Sequence, residues 1–549
     1  MNRCLAIFLL ALPSLCGLLS VITTFAATSP ALEPDDVRYF SQLWEFLSDP
    51  VSHWKNAFII RNSWEDQWWV ASGYVSYVRP IPILSYLVNM LFFGRSAYVL
   101  LYTNVLLFLG LCFSVTLLLR AITKNSVAAT LGACWFATLP IHSEGVAYIA
   151  GRTDVLAWTF GALYLRSHIL GRPLFHKLLL YFLALMCKEY CLLLPIVCFL
   201  FDREPLCNLS FTRLKSYLPF VVLSVLYLLA HRALLEGGSL RGAPLPLYFP
   251  VSSVEGGVYH LTLQTLYLIS LAVVGLCGAM YATAISIDLA VFSAVSLPFF
   301  VAILLGGRNG SFWGAALLFL LVTLAVTAPL YVSLRYLIGP SIALACCVSL
   351  AYEGISRRGM QVVFLLCVIP VVTLHSIILA STIEAQLAAD TRSFYSVASL
   401  VDAIEERKDD LRSCDVGLVV NAPPEQVFQM FMGEFFKVGL QKPHMKTVVL
   451  SHCLRKQAGE PAPKWSRSTS GSGIEVHGAV ELVTEDSSDM SLPLWGSPIS
   501  VSTSANVQIS VDSTWKGLSV EWPSSMSQRV CVVEFQYKTN VSLTATPVA

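Results

Sequence analysis

Two adjacent carboxylates, Asp35 and Asp36, follow Pro34 directly after the first hydrophobic stretch of the chain. Ionised carboxylates are costly inside hydrocarbon, so at the end of a membrane segment they must face water, a cation or a reacting substrate. The pair therefore predicts an active site at the membrane surface, with a solvated acidic turn before a helix as the alternative.

A second group of ionisable residues lies between two apolar stretches and consists of His142, Glu144, Arg152 and Asp154. The intervening residues 145–151 are small and apolar, which a purely solvated loop has little reason to be. We predict that the four side chains shape a pocket, and an ordinary polar loop is the alternative.

Ionisable residues adjoin apolar sequence at two further positions, Arg79 and Lys188-Glu189. Arg79 precedes Pro80 and Pro82, which restrict the backbone beside it. Its planar guanidinium suits a phosphate, because it can bind two oxygens at once. Lys188 and Glu189 interrupt an apolar segment in its middle, which makes them candidates for a functional site. A mutually neutralised structural pair is the alternative there.

The composition of the chain indicates a multi-pass helical membrane protein. Hydrophobic residues make up 55% of the sequence, charged residues only 13%, and the mean hydropathy is +0.65. Soluble domains typically carry about 25% charged residues. The net charge of +1 and the lack of a basic run give no reason to expect nucleic acid as a partner.

The apolar segments predict about eleven transmembrane helices by the twenty-residue criterion. Ten of these candidate spans are 4–27, 97–120, 126–141, 177–201, 216–235, 261–281, 283–305, 311–330, 332–353 and 360–381. The first is too long for the core of a typical signal peptide, so a retained anchor is favoured over a cleaved one. If Lys188 and Glu189 divide 177–201 into two short re-entrant segments, the sidedness of the following loops changes.

Basic residues in the short turns predict the orientation of the chain. They are Arg120, Lys124, Arg166, Arg172 and Lys177. The positive-inside rule assigns them, with the N-terminus, to the cytoplasm, and it assigns residues 28–80, 142–154 and 382–549 to the opposite face.

Residues 28–94 are expected to form the first outer loop. Charged residues interrupt the apolar pattern there, and Trp44, Trp54, Trp64, Trp68 and Trp69 are densely placed. Tryptophan is enriched where lipid headgroups meet water, so amphipathic helices on the membrane surface are predicted. Such a surface could bury a lipid tail or a sugar ring, or it could serve as an anchor only.

The tail, residues 382–549, is predicted to be an extramembrane α+β domain. A helical connector at 383–412 precedes short alternating runs such as 474–483 and 530–535, which indicate strands. The tail contains Cys414, Cys453 and Cys531, which allow at most one internal disulfide. Residues 1–381 form the predicted membrane domain.

These motifs together resemble a known family. Asp-Asp after the first span, Arg-Pro before the second, and His-x-Glu-x-Val-Ala-x-x-x-Gly-Arg-x-Asp at 142–154 are similar to the transmembrane O-mannosyltransferases that carry tetratricopeptide repeats. Lys188-Glu189 and the stretch from Arg335 to Ser341 extend the match. More distantly, the chain resembles protein O-mannosyltransferases and lipid A aminoarabinose transferases of the GT-C superfamily. The resemblance covers about residues 1–380, and the 34-residue repeats are absent from 382–549.

The resemblance implies a fold and an activity. The fold is an all-α polytopic GT-C-like membrane protein. The activity is transfer of a sugar, mannose in the named family, from a polyprenyl-phosphate carrier to an acceptor hydroxyl or amine on the outer face, with inversion at the anomeric carbon. The acceptor is a protein or a glycan. Absence of the eukaryotic repeats favours a bacterial inner membrane over the endoplasmic reticulum.

The family motif also implies roles for individual residues. Asp35 is the expected general base, because an ionised carboxylate near water can take the acceptor proton. Asp36 would position the acceptor or a cation. Arg79, Lys188 and Arg335 are candidates to meet the charge of the departing phosphate, and a divalent cation could share that task.

Two other classes of function stay open on the sequence. A transporter or flippase of lipid-linked sugars also places charges between spans, although the charges here gather towards one face and no internal repeat is present. A non-catalytic membrane scaffold is the other, against which Asp35, Asp36 and Asp154 argue.

Overall fold

The computed structural model describes residues 34–63, 74–94, 96–202, 211–235, 240–241, 319, 334–355, 357–392 and 397–412, and short segments between 414 and 547. The chain divides into two compact units. The first comprises Met1–Pro30, Val78–Ala233 and Val251–Arg392, and the second comprises Ala31–Tyr77, Leu234–Pro250 and Ser393–Ala549.

Helices dominate the described part of the first unit. In chain order the helices of the protein are α1 (Pro34–Ser48), α2 (Pro80–Phe93), α3 (Ala97–Thr123), α4 (Ser126–Thr138), α5 (Ser143–Ala147), α6 (Arg152–Ile169), α7 (Leu174–Leu185), α8 (Leu194–Phe201), α9 (Phe211–Leu234), α10 (Ile338–Gly354), α11 (Arg358–Arg392), α12 (Val397–Glu406) and α13 (Lys408–Arg412). Short 3-10 helices lie at Trp54–Ala57, Pro140–His142, Ile149–Gly151, Glu189–Leu193 and Leu334–Leu337.

Within the described residues, four helical segments are long and apolar enough to cross a membrane: Ala97–Thr123, Lys215–Leu234, Arg335–Gly354 and Gly359–Glu384. They correspond to the predicted spans 97–120, 216–235, 332–353 and 360–381, and they confirm a multi-pass membrane protein. The predicted spans 4–27, 261–281 and 283–305 lie outside the described residues, as does 311–330 apart from Phe319.

The predicted span 177–201 is divided in the structure. Helix α7 ends at Leu185, Lys188 has extended backbone angles (φ −161°, ψ 143°), and a 3-10 helix at Glu189–Leu193 leads into α8. Both α7 and α8 run between the two ends of α6. Lys188 contacts Asp154 at the first turn of α6, whereas Asp202, just after α8, contacts His168 near the end of α6. The segment is therefore a hairpin of two short helices. This corrects the expectation of one continuous span and agrees with the alternative of two short segments divided at Lys188 and Glu189.

The helices pack closely where small residues meet. A Cβ atom on Gly132 of α4 would lie 2.7 Å from the backbone oxygen of Ala345 in α10 and would also contact Ser349. Small residues at such positions let two helix backbones approach each other inside a membrane. Helix α10 is buried on all sides from Ile338 to Tyr352, as expected of a helix that is apolar around its whole circumference.

The charged turns separate as the sequence predicts. Arg152 contacts Leu100 near the start of α3, whereas Arg120 and Lys124 lie at its other end, about 35 Å away at 1.5 Å per residue. Arg166 is likewise in the last turn of α6. The segment 142–154 and the basic turns thus occupy opposite ends of the helices. Which end faces the cytoplasm stays a prediction.

The second unit contains α1, α12, α13 and most of the strands. The strands are β1 (Ile59–Ser63), β2 (Tyr74–Val78), β3 (Leu240–Arg241), β4 (Val416–Val419), β5 (Lys446–Val449), β6 (Lys464–Arg467), β7 (Gly473–His477), β8 (Ile499–Ser502), β9 (Gln508–Val511), β10 (Gly517–Glu521), β11 (Val530–Tyr537) and β12 (Val541–Pro547). They form sheets with the orders β1-β2-β3, β6-β7-β10-β9-β8 and β12-β11-β4-β5.

A disulfide between Cys414 and Cys531 joins the start of β4 to β11, with a Cα–Cα distance of 5.8 Å. It is one of the pairings that the three cysteines of the tail allow, and Cys453 lies outside the described residues. Strands β7 and β11 match the predicted runs at 474–483 and 530–535. That 382–549 forms a separate domain stays a prediction.

Candidate functional site

A buried ion pair between Asp154 and Lys188 lies at the centre of the candidate site. The Lys188 ammonium donates hydrogen bonds of 2.6 and 2.7 Å to the two carboxylate oxygens of Asp154. The Tyr190 hydroxyl donates a third, of 3.0 Å. The side chains of Asp154 and Lys188 are only 1% and 6% exposed. Asp154 occupies the first turn of α6, where the partial positive charge of the helix N-terminus favours a carboxylate.

Glu144 and Arg335 adjoin this pair. The backbone N–H of Arg335 donates to Glu144 Oε2 at 3.1 Å, and Arg335 Nε lies 3.9 Å from both Glu144 Oε1 and Asp154 Oδ2. The Arg335 guanidinium lies over the Tyr148 ring at 4.9 Å from the ring centroid. We call Glu144, Asp154, Lys188, Tyr190 and Arg335 the Asp154 cluster.

Arg79 and Glu189 form a second ion pair beside the first. Arg79 Nε and Nη2 donate to the two oxygens of Glu189 at 3.3 and 3.0 Å, which is a bidentate contact. Their side chains are 13% and 30% exposed, so this pair is more accessible than Asp154 and Lys188. Because the backbone is extended at Lys188, successive side chains point in opposite directions. Lys188 therefore reaches Asp154 while Glu189 reaches Arg79, and the two do not neutralise each other.

Arg152 is fully buried and makes structural contacts beside the Asp154 cluster. Its guanidinium donates to Asn104 Oδ1 at 3.0 Å, to Asn89 Oδ1 at 2.8 Å and to the Leu100 carbonyl at 3.1 Å, and it lies 4.1 Å from the centroid of the Tyr86 ring. These contacts tie α2, α3 and α6 together.

The turn before Arg152 is fixed by the same network. Asn104 donates to the carbonyls of Tyr148 and Ile149, and the Tyr86 hydroxyl donates to Ile149. Gly151 fits here because a Cβ atom would lie 2.6 Å from the Glu144 carbonyl oxygen. The small residues between Glu144 and Arg152 therefore allow close packing of the turn.

His142 lies apart from these charges. Its ring centroid is 5.2 Å from that of Phe108 and 4.5 Å from that of Phe136, and the side chain is fully buried. Burial lowers the pKa of His142 to about 3. The ring is therefore neutral at physiological pH.

Asp35 and Asp36 lie in the first turn of α1, in the second unit. Their side chains are outside the part of the chain that the structure describes. Within the described residues, no three His, Cys, Asp or Glu side chains come close enough together to hold a metal ion.

The structure thus brings together six predicted residues, Arg79, Glu144, Asp154, Lys188, Glu189 and Arg335. It places Arg152 and His142 in separate buried contacts. Sequence reasoning missed the tyrosines, of which Tyr148, Tyr190 and Tyr336 contact the cations. Their signal was present, because Tyr190 follows Lys188-Glu189 and Tyr336 follows Arg335 directly.

The charges of the site balance. Three cations, Arg79, Lys188 and Arg335, face three carboxylates, those of Glu144, Asp154 and Glu189. An anionic group that enters the site must therefore share a cation with a carboxylate or displace one. Cations aimed at a partly accessible position can bind a phosphate and stabilise charge that develops on it.

Comparison with known proteins supports the predicted resemblance over part of the chain. No protein-family model matches the chain. It is 29% identical over 174 residues to "Protein O-mannosyl-transferase Tmtc1" of Drosophila melanogaster, which amounts to 29% of this chain and 20% of that protein. The match thus spans about a fifth of the relative's length.

Two solved structures match the chain at low sequence identity and with TM-scores below 0.5. The archaeal oligosaccharyltransferase AglB from Archaeoglobus fulgidus, in complex with an inhibitory peptide and a dolichol-phosphate, matches with a TM-score of 0.46 and 13% identity over 81% of this chain and 64% of that one. ArnT from Cupriavidus metallidurans in the apo state matches with a TM-score of 0.45 and 11% identity over 93% and 97%.

Proposed function

We propose that the protein is an integral-membrane glycosyltransferase that moves a sugar from a polyprenyl-phosphate carrier to an acceptor hydroxyl on protein, with inversion at the anomeric carbon. Mannose is the sugar that we favour, because the matched relative is named an O-mannosyl-transferase. Transfer takes place at the non-cytoplasmic face.

The observation that carries the proposal is the cluster of buried and half-buried charges at one end of the helices. Its members come from segments as far apart as Arg79 and Arg335 and converge within direct contact of Asp154 or Glu189. Ionisable residues in a membrane protein mark a functional site by default, because their burial is costly. Their place at the end of α6 favours chemistry at the membrane surface over a transport path through the middle of the bilayer.

We assign the described residues to two tasks. Arg79, Lys188 and Arg335 supply the positive charge that meets the departing lipid phosphate. Asp154 fixes Lys188, Glu144 fixes Arg335, and the buried Arg152 braces the turn that carries them. His142 supports this turn through its contacts with Phe108 and Phe136.

Asp35 is the proposed general base, by its position in the family motif, and Asp36 positions the acceptor. A carboxylate within hydrogen-bond reach of the acceptor hydroxyl takes its proton as the new bond forms at the anomeric carbon. The bond between that carbon and the phosphate oxygen breaks, and the phosphate leaves with the lipid. The leaving phosphate therefore needs the cations to stabilise its negative charge, and the acceptor hydroxyl needs the base to take its proton.

The disulfide in the second unit supports an oxidising compartment for that unit, because disulfides persist outside the cytosol. A bacterial periplasm and the lumen of the endoplasmic reticulum both fit. We propose the bacterial inner membrane, with the endoplasmic reticulum membrane as the alternative.

The test is sugar transfer from a polyprenyl-phosphate-linked mannose to a Ser/Thr peptide by the purified protein in nanodiscs. Asp35→Asn keeps the size of the side chain and should lower transfer about 10²–10⁴-fold, the usual contribution of a positioned base. Asp49→Asn is the matched control, since Asp49 is an exposed carboxylate just after the same helix. Equal transfer by Asp35→Asn and the control would remove Asp35 from the role of base.

Two results would favour another class of function. Movement of a fluorescent lipid-linked sugar across the bilayer without transfer would indicate a flippase. Neither movement nor transfer, with the second unit still binding a protein partner, would indicate a scaffold.

A further inference from the structure

The Arg79–Glu189 pair is accompanied by two polar side chains of α9 that the family motif does not include. They are Tyr227 and His231, which lie one helical turn apart with their ring centroids 5.7 Å from each other. Both lie within electrostatic reach of Arg79 and Glu189.

Two polar atoms at this position, the Tyr227 hydroxyl and His231 Nε2, have no hydrogen-bond partner in the described part of the chain, and both are shielded from solvent. Tyr227 is only 4% exposed. Buried polar atoms nearly always have a partner, and an exception needs an explanation such as an absent ligand. The phenolic hydroxyl and the imidazole N–H can both donate to an anion.

The carboxylate of Glu189 has the geometry of a phosphate substitute. Its two oxygens accept from Nε and Nη2 of Arg79, the fork that also binds two phosphate oxygens. With 30% of its side chain exposed, Glu189 is more accessible to a competing anion than Asp154 is. Asp154 differs, because it is 1% exposed and is held by Lys188 and Tyr190. Arg79 is therefore the cation whose carboxylate partner an entering anion can displace.

The exposed apolar residues of α9, among them Val225, Leu228 and Leu229, lie on the face of the helix opposite Tyr227 and His231. They suit contact with lipid on the outside of the protein, whereas Tyr227 faces the protein interior. The lipid nature of the ligand is therefore taken from the proposed function.

We propose that Tyr227 and His231, together with Arg79, form the subsite for the phosphate of the lipid carrier, and that Glu189 occupies this subsite in the free protein. The proposal rests on the proposed function for the identity of the lipid. It adds two donors that bind the phosphate and a carboxylate that competes with it.

The experiment measures binding of a polyprenyl monophosphate without sugar to the full-length protein in nanodiscs. Tyr227→Phe should weaken binding about tenfold, because it removes one hydrogen bond to a charged group. Its thermal stability should be equal to the wild type or higher, since no protein partner loses a bond. His231→Phe should weaken binding in the same way. Glu189→Gln should strengthen binding, because it removes the competing negative charge.

The matched control is Tyr181→Phe. It removes another buried hydroxyl that contacts α9, at Ser224, away from Arg79. Its affinity for the polyprenyl monophosphate should equal that of the wild type. The opposite signs of the Tyr227 and Glu189 effects separate the subsite from general damage to the fold.

Three results would overturn the proposal. The first is wild-type affinity in Tyr227→Phe and His231→Phe, and the second is weaker binding by Glu189→Gln. The third is equal competition by phosphatidic acid, which carries the same phosphate on a different lipid, since it would exclude assignment to the carrier. Binding with the predicted pattern but no sugar transfer would support the subsite and refute the glycosyltransferase.

Discussion

Breaking the buried ion pair by Lys188→Met tests the description of the site most severely. The change removes the ammonium that donates to both oxygens of Asp154 and leaves that carboxylate 1% exposed. At an effective dielectric constant of about 20, unit charges at 2.7 Å attract each other by about 6 kcal/mol. Removing one partner of a buried pair typically costs about 3–5 kcal/mol of unfolding free energy.

The remaining neighbours can offset only part of this loss. Tyr190 keeps its hydrogen bond to Asp154, and Arg335 Nε stays 3.9 Å from Asp154 Oδ2. We therefore expect the lower part of that range, about 3 kcal/mol. The double variant Lys188→Met with Asp154→Asn should be more stable than Lys188→Met alone. It removes both charges together, and the asparagine still accepts from Tyr190.

The assay is reversible unfolding of the purified protein in mixed micelles, followed by tryptophan fluorescence, for the wild type, both single variants and the double variant. A matched control is Lys124→Met, which removes a lysine at the opposite end of α3. A loss below about 1 kcal/mol in Lys188→Met, the value typical of exposed pairs, would show that water reaches the pair. A double variant no more stable than Lys188→Met would show that the two charges are not coupled.

Three further changes have definite expectations. Gly339→Ala should cost about 1–3 kcal/mol by thermal unfolding, because its Cβ would overlap the Trp158 indole, whereas Gly359→Ala has nothing within 4 Å and should be near neutral. Arg152→Lys should lower the free energy of unfolding by about 1–3 kcal/mol for each hydrogen-bond acceptor that loses its donor, since an ammonium cannot reproduce the geometry of a guanidinium. A stability equal to that of the wild type would show that Arg152 does not hold α2, α3 and α6 together. Cys414→Ser opens a disulfide that spans 117 residues and should destabilise the second unit by about 4–5 kcal/mol; an unchanged mobility on non-reducing gels would refute the pairing.

The class of the protein and much of the site could be predicted from the sequence. The four long spans follow from hydropathy alone, because a bilayer requires about twenty apolar residues per helix. Glu144, Asp154 and Lys188 could be predicted as candidate functional residues because ionisable side chains next to membrane helices are energetically costly.

The roles within the site could not be predicted. Sequence position does not show that Lys188 turns to Asp154 while Glu189 turns to Arg79, since this depends on an extended backbone between two short helices. Nor does it show that Arg152 faces Asn104 and the Leu100 carbonyl. Such pairings arise from the packing of segments that are distant in sequence.

The lengths of the short helices could not be predicted from hydropathy either. Helix α4 has 13 residues and α7 has 12, about 20 and 18 Å at 1.5 Å per residue, so neither covers the hydrocarbon of a bilayer by itself. A window of twenty residues merges α7 with α8 because both are apolar. The tyrosines were overlooked because a ring next to a cation is as typical of packing as of binding.

The activity that we propose for this chain is transfer of a sugar from a polyprenyl-phosphate carrier. The most direct measurement is the product of the purified wild-type protein in nanodiscs with mannosyl polyprenyl phosphate and a Ser/Thr peptide. We expect a glycopeptide with inverted anomeric configuration, formed at a rate that falls in Arg79→Ala, where a charge-assisted contact worth about 1.5–3 kcal/mol is lost. A glycopeptide with retained configuration, or no glycopeptide while the protein still binds the donor lipid, would refute the proposed activity.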